Sequence, residues 1–285
     1  MIDRRTMIAS AAATLAAVPS RVSAEVSPLD YSWQQIAQSR FIVVGATSPP
    51  EGSKPGEGDN PFFDIRVLGV RPLKGTPPDP LVLRQPNVAP GFLNPLAPWT
   101  FAGEPALLFL ADQEEEPPHV WLTHMESMVA PEPDVLDFVK REIAGQARYL
   151  AAWRPDREVR HYGQVKTIID WLLAISPADP DAAALQAAGF ERLESLGDAA
   201  ATAMVMQMND RRPLAVPRLS LGSGKGPNSR RRHEPQLMID ALAAMLEQVT
   251  GQRYGQPYAG GRESQRQLAY DGWRLYAGRH ARGYP

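Results

Sequence analysis

The sequence has no cysteine among its 285 residues. That excludes disulfides, thiolate metal sites, a cysteine nucleophile and a lipid-anchored cysteine. Such a chain needs no oxidising compartment to fold, so folding before export is open to it. An excess of charge of one sign is also lacking, the formal net charge being −2. That argues against a nucleic-acid binder working by bulk charge. Past the N-terminal segment there is no run of about 18 apolar residues, so no membrane-spanning helix is expected in the mature chain. No Gly-x-Ser-x-Gly nucleophile elbow is present. The stretch Gly222–Gly226 (GSGKG) has the glycines and lysine of a phosphate loop. It lacks the Gly-x4-Gly-Lys-Ser/Thr spacing, and no strand is expected before it, so nucleotide binding is not expected. His119 and His124 are five apart in one expected strand and would point to opposite faces, so they cannot share a metal. His161, His233 and His280 have no neighbouring ligand pattern. No catalytic, cofactor-binding or metal-ligating residue is assigned.

Proline is what the chain has in plenty, 28 residues clustered in the first half. It fixes φ and removes a backbone donor, which disfavours long helices there. Residues 1–24 read as a signal peptide: Arg4-Arg5, an apolar stretch from Met7 to Val18, and Val22-Ser23-Ala24 before the cut. The apolar stretch is shorter than the roughly 20 residues that span a bilayer. Arg4-Arg5-Thr6-Met7-Ile8 resembles a twin-arginine signal, and the weakly hydrophobic, Ala-rich stretch with Arg21 near the cut fits that route. An Ala-rich general secretory signal is the alternative. Either way the mature protein is expected to be periplasmic or secreted.

Five strands are expected between residues 25 and 155. Arg40–Thr47 is a β-branched run. In the stretch Asn60–Gly75 (NPFFDIRVLGVRPLKG), Phe63, Ile65 and Val67 alternate with Asp64 and Arg66. Leu68 and Val70 then fall on the other parity, which predicts either a bulge near Gly69 or burial on both faces. Pro80–Pro86, Ala106–Asp112 and His119–Val129 complete the set. Asp134 is expected to cap a helix carrying Val135, Phe138, Val139, Ile143, Ala147 and Leu150 on one face. Five strands and a helix in this span predict a five-stranded antiparallel barrel with the helix plugging one end.

From Tyr162 the pattern turns helical. Val165, Ile168, Ile169 and Leu172 share a face, and Asp179-Pro180 starts a second helix that Gly197 ends. Helices are expected over Ala199–Met208, Pro235–Val249 and Glu263–Tyr276, the fourth with Met238, Leu242, Met245 and Val249 on one side. Arg211–Glu234 is left as a loop too long for a mere connection. The fold class is α+β with two domains, a barrel over 25–155 and an all-α domain over 160–285.

The segments FIVVGAT, FFDIRVLGVRPLKG, VLRQP and FAGEPALLFLAD resemble the netrin/TIMP-like (NTR) version of the OB-fold. Leu73-Lys74-Gly75 and the Gly103-Glu104-Pro105 turn carry most of that likeness, which covers Ser39 to Leu150. Inhibitors of the TIMP type ligate a protease zinc through an N-terminal cysteine. Without cysteine, that activity is not implied. Ala184–Met208, and Asp240–Gly255 with Ala269–Gly278, resemble a HEAT-type helical domain without a clean period; a small irregular bundle is the alternative. The repeat likeness implies protein–protein contact.

Two charge blocks stand out. Eight acidic residues and no Lys or Arg lie between Asp112 and Asp137; seven Lys/Arg and one acid lie between Arg211 and Glu234. Opposed fields orient partners. Arg230, Arg231 and Arg232 are therefore candidate binding residues, toward the acidic segment of this chain or of a second copy; two solvated patches that never meet are the alternative. Glu114, Glu115 and Glu116, adjacent on a hairpin tip, read as solvated. Phe92, Trp99 and Phe101 lie in a Pro-broken loop, as core plugs or as a ligand platform. The expected function is a non-catalytic, exported binding or adaptor protein of the bacterial envelope, with a protein or envelope component as partner. An envelope-acting hydrolase with a carboxylate site between the domains is the alternative.

Overall fold

The apolar run after the first short helix becomes the centre of a curled sheet. The computed structural model describes residues 33–48, 62–86, 103–112, 120–122, 128–222, 231–255 and 261–281. The expected signal peptide lies outside them. Helix α1 is Trp33–Gln38, followed by β1 (Phe41–Thr47), β2 (Phe62–Lys74), β3 (Val82–Pro86), β4 (Pro105–Asp112), β5 (Val120–Leu122) and β6 (Met128–Val129). Strand β1 pairs antiparallel with β2 on one side and with β4 on the other. Strand β2 pairs with β3, and β5 with β4, also antiparallel. The β3–β5 pairing is parallel, a correction to the all-antiparallel expectation. The pairings therefore close on themselves in the order β1, β2, β3, β5, β4, with β6 added beside β4.

Period-2 alternation explains why β1 and β4 are apolar throughout. Phe41, Val43, Ala106, Leu108 and Leu110 point into one cluster with Ile65, Val67, Leu81 and Leu83. Ile42, Val44, Leu107 and Phe109 point the other way and meet Ile36 of α1 with Val135 and Val139 of α2 (Pro133–Ala152). Both faces of these two strands are buried, each large side chain contributing about 1.5–3 kcal/mol. Helix α2 thus lies on the outward side chains of β1 and β4; it does not plug an end of the curl. Its N-cap is Glu132, with Pro133 at the first position and Asp134 in the first turn, so Asp134 complements the helix dipole and does not cap. The expected single strand His119–Val129 is two short strands, β5 and β6.

The remaining helices are α3 (Tyr162–Ala174), α4 (Ala182–Ser195), α5 (Ala201–Gln207), α6 (Met238–Thr250) and α7 (Glu263–Ala281). Gly197 takes a positive φ of 64° just past α4, at the end expected of it, and Gly251, at φ 70° and ψ 2°, is a left-handed end of α6. Asp179 sits one turn early: its carboxylate accepts from Asp181 N (2.9 Å), and α4 begins at Ala182. Helix α6 departs from the expected one-sided pattern. Met238 to Leu246 are all buried, so α6 is the central helix of the core, in one cluster with Val165, Phe190, Met204 and Trp273. Helix α1 joins this core to the sheet, Ala37 packing with the helices and Ile36 with the strands.

The segment Arg211–Glu234 is more than a loop. It carries a hairpin, β7 (Leu219–Leu221) with β8 (Arg231–His233), and Leu219 and Leu221 are buried. Strand β7 does precede Gly222, whose N–H donates to Glu194 Oε1 at 3.2 Å. Gln186 on α4 clamps the approach to the hairpin: its Nε2 donates to Val216 O (2.7 Å) and Arg218 O (2.9 Å), and its Oε1 accepts from Val216 N (3.0 Å). Gln186→Ala removes three hydrogen bonds to these partly buried backbone groups, at a cost of about 1 kcal/mol or more. The expected result is a lower thermal midpoint together with faster hydrogen exchange at the Val216 amide; unchanged exchange there would refute the clamp.

Candidate functional site

The strands β2 and β3 differ from β1 and β4 in what covers them. Ile65, Val67, Leu81 and Leu83 point inward and are buried. Asp64, Arg66 and Leu68 point outward and are exposed; Val82 and Arg84 of β3 are half-buried beside them. Cross-strand register sets Asp64 opposite Arg84 and Arg66 opposite Val82. Arg84 grips Asp64 through both oxygens, Nε to Oδ1 at 3.0 Å and Nη2 to Oδ2 at 3.1 Å. Pairs this exposed add at most about 1 kcal/mol, so the grip chiefly fixes orientation.

The slip in alternation after Val67 is a bulge. Val44 pairs with Arg71 and Ala46 with Leu68, so β2 spends three residues where β1 spends two, with Gly69 at φ 61°. The extra residue turns Val70 back toward the inner cluster and leaves Leu68 outside, 54% exposed. Leu68 stands two residues along β2 from Arg66, just past the end of the β2–β3 pairing and opposite Ala46 of β1, and the Asp64–Arg84 pair lies about 13 Å further back along the strand.

The Leu73-Lys74-Gly75 turn closes β2 against α1. Leu73 packs with Ile36, Ile42 and Phe109. Gly75, at φ 70°, lets the backbone pass Arg40 O so closely that a Cβ would lie 2.6 Å from it. Lys74 Nζ donates to Ile36 O at 2.5 Å, satisfying one of the free carbonyls at the end of α1. Burial pushes the Lys74 amine down to about 8, opposed by Asp271 and aided by Arg40. An amine of that basicity can serve as a nucleophile, but here it is spent on a helix end.

The aromatics Phe92, Trp99 and Phe101 and the basic Arg230 lie outside the described residues. Arg231 and Arg232 fall in β8, opposite Leu221 and Ser220. At the start of the basic block, Arg211 pairs with Glu263 (2.8 Å) and Arg212 with Asp210 (2.6 Å). In the acidic block, Asp137 pairs with Lys140 at 3.7 Å. Among the described residues, no group of three His, Asp or Glu could hold a metal ion, and no helix is long and apolar enough to cross a membrane. His161 sits at φ 66° before α3, its Nδ1 2.6 Å from Gln164 Oε1. Sequence reasoning missed Leu68 and the Asp64–Arg84 pair as surface features. The broken parity at Leu68 carried the signal, but parity alone could not separate a bulge from two-sided burial. No protein family, curated protein or solved structure matches this chain.

Proposed function

We propose that this chain is an exported, non-catalytic binding or adaptor protein whose first half is an OB-type barrel of the netrin/TIMP-like kind. Barrels of that type bind along the outside of strands 2 and 3. The observation that carries the reading is the exposed outer face of β2 beside β3: α1 and α2 cover the outside of β1 and β4, while Asp64, Arg66 and Leu68 follow one another outward along β2. The ring of pairings and the parallel β3–β5 contact support it. Charged side chains in a row with an exposed leucine, on a sheet face that no helix covers, suit a protein surface, so the partner is a protein or a protein-bearing envelope component.

The test is capture from solubilised envelope of the source cell by the mature chain and by a variant carrying Arg66→Glu and Leu68→Asp. Both positions are exposed, and the melting temperature of the variant is measured beside that of the native chain so that a loss of binding is separated from a loss of fold. Bound proteins retained by the native chain should fall at least about tenfold with the variant, the loss of a hot spot. Equal retention by both would remove the β2–β3 face from the reading.

A further inference from the structure

A second surface lies on the helices. Residues Glu142, Gly145, Gln146 and Tyr149 form one stripe of α2, and Leu275, Gly278 and Arg279 one stripe of α7; between them is a groove of about 330 Å³. At its end, Arg279 Nη2 donates to Glu142 Oε1 at 2.9 Å. The same guanidinium lies 4.6 Å above the Trp33 ring. Gln146, 6% exposed, spends its Nε2 on Trp33 O (2.8 Å) and Glu142 Oε1 (3.0 Å). Among the described residues, Glu142 Oε2, Gln146 Oε1 and the remaining Arg279 N–H groups have no partner.

The glycines of the groove differ in their reasons. A Cβ on Gly278 would lie 2.0 Å from Tyr149 Oη, so packing demands glycine there. Gly145 is interior to α2, has no positive φ, and its Cβ would meet nothing within 4 Å. Glycine in a helix interior costs stability relative to alanine. At Gly145 that cost has no packing cause, and its effect is an open groove.

We propose that this groove binds a small neutral polyhydroxylated ligand, a saccharide of one or two rings. Glu142 and Arg279 cancel each other, so an ion of either sign meets its like charge beside its opposite. A hydroxyl both donates and accepts, and so matches two open acceptors beside open guanidinium donors. Leu275 and the Tyr149 ring supply an apolar wall for the C–H face of a sugar. The volume lies at the lower end of small-ligand sites. This site stands apart from the β2–β3 face, and either can fail without the other.

The test is saturation-transfer NMR on the mature chain with glucose, N-acetylglucosamine and maltose, and with acetate and ethylammonium as charged probes. Transfer is expected to at least one sugar and to neither ion. Gly145→Leu fills the groove and adds a better helix former, so its melting temperature should hold or rise while the sugar signal is lost. Glu142→Gln gives a second reading that does not depend on that variant folding: Arg279 is left uncompensated, so sugar transfer should weaken and acetate transfer should appear. Absence of transfer to all three sugars overturns the proposal. So does transfer undiminished in Gly145→Leu, or transfer to an ion alone in the native chain.

Discussion

Asp240→Ala is expected to destabilise the protein by about 3–5 kcal/mol, the cost of breaking a buried ion pair from one side. Asp240 is fully buried near the start of α6, and Arg266 of α7 meets it with Nε to Oδ1 at 2.7 Å and Nη2 to Oδ2 at 3.0 Å. The Arg266 side chain is itself 11% exposed, so the variant takes away the carboxylate that two of its N–H groups face in the helical core. Asp240 Oδ2 also accepts from Gln236 N (3.1 Å) and Leu237 N (3.0 Å), two donors at the start of α6. These roles separate by a double substitution. Asp240→Ala with Arg266→Met removes the buried guanidinium as well and should recover most of the loss. The remaining deficit, about 1 kcal/mol, is the lost cap. Urea unfolding of the two single variants and the double measures both. A double variant as unstable as Asp240→Ala alone would show that the cap, not the Arg266 guanidinium, dominates.

The second large effect is a rise of stability with pH in a range where most proteins lose it. Lys74 has an ordinary value of 10.5 that burial lowers to about 8 in the folded chain. Between those values the unfolded chain binds more protons than the folded one, so unfolding free energy climbs with pH. Below pH 8 the folded state carries the cost of a charged, desolvated amine. The climb amounts to about 3 kcal/mol at most, since each unit of separation is worth about 1.4 kcal/mol. Tyrosines oppose it at the upper end. Burial pushes Tyr276 up to about 12, with the nearby Asp198 carboxylate adding to it. Burial likewise raises Tyr254, against the effect of Gln34. From pH 10 upward the unfolded chain ionises its tyrosines first, and stability falls. A maximum near pH 10 is therefore expected in urea unfolding. Lys74→Met should abolish the climb. It should also stabilise the protein at pH 7, by the relieved desolvation less about 1 kcal/mol for the bond to Ile36 O. A climb that persists in Lys74→Met would assign it to another group.

Lys74 also shows how much of the site was legible. The turn Leu73-Lys74-Gly75 is recognisable as the end of a long strand, but nothing local says that its amine will reach the carbonyl of Ile36, 38 residues earlier. Leu68 is a middle case. Its broken parity is plain in the sequence, yet a bulge and two-sided burial write the same letters; only the pairing of Val44 with Arg71 and Ala46 with Leu68 separates them. The hairpin at Leu219–Leu221 escaped notice because three residues are too few for a period to declare itself. Helix α6 is legible in the sequence only through the spacing of Met238, Leu242, Met245 and Val249, which marks one face. Its burial all round depends on other helices, among them α7, whose Arg266 pairs with the buried Asp240.

The order of strands, then helices, and the ends at Gly197 and Gly251 were determined by the sequence alone, because side-chain period and glycine's freedom at positive φ act within a few residues. Which face of each strand meets a helix, the parallel meeting of β3 with β5, and the partners of Lys74, Gln186 and Asp240 were decided only in three dimensions. Those contacts join residues far apart in the chain, and the local pattern of letters is the same whichever distant surface arrives to cover them.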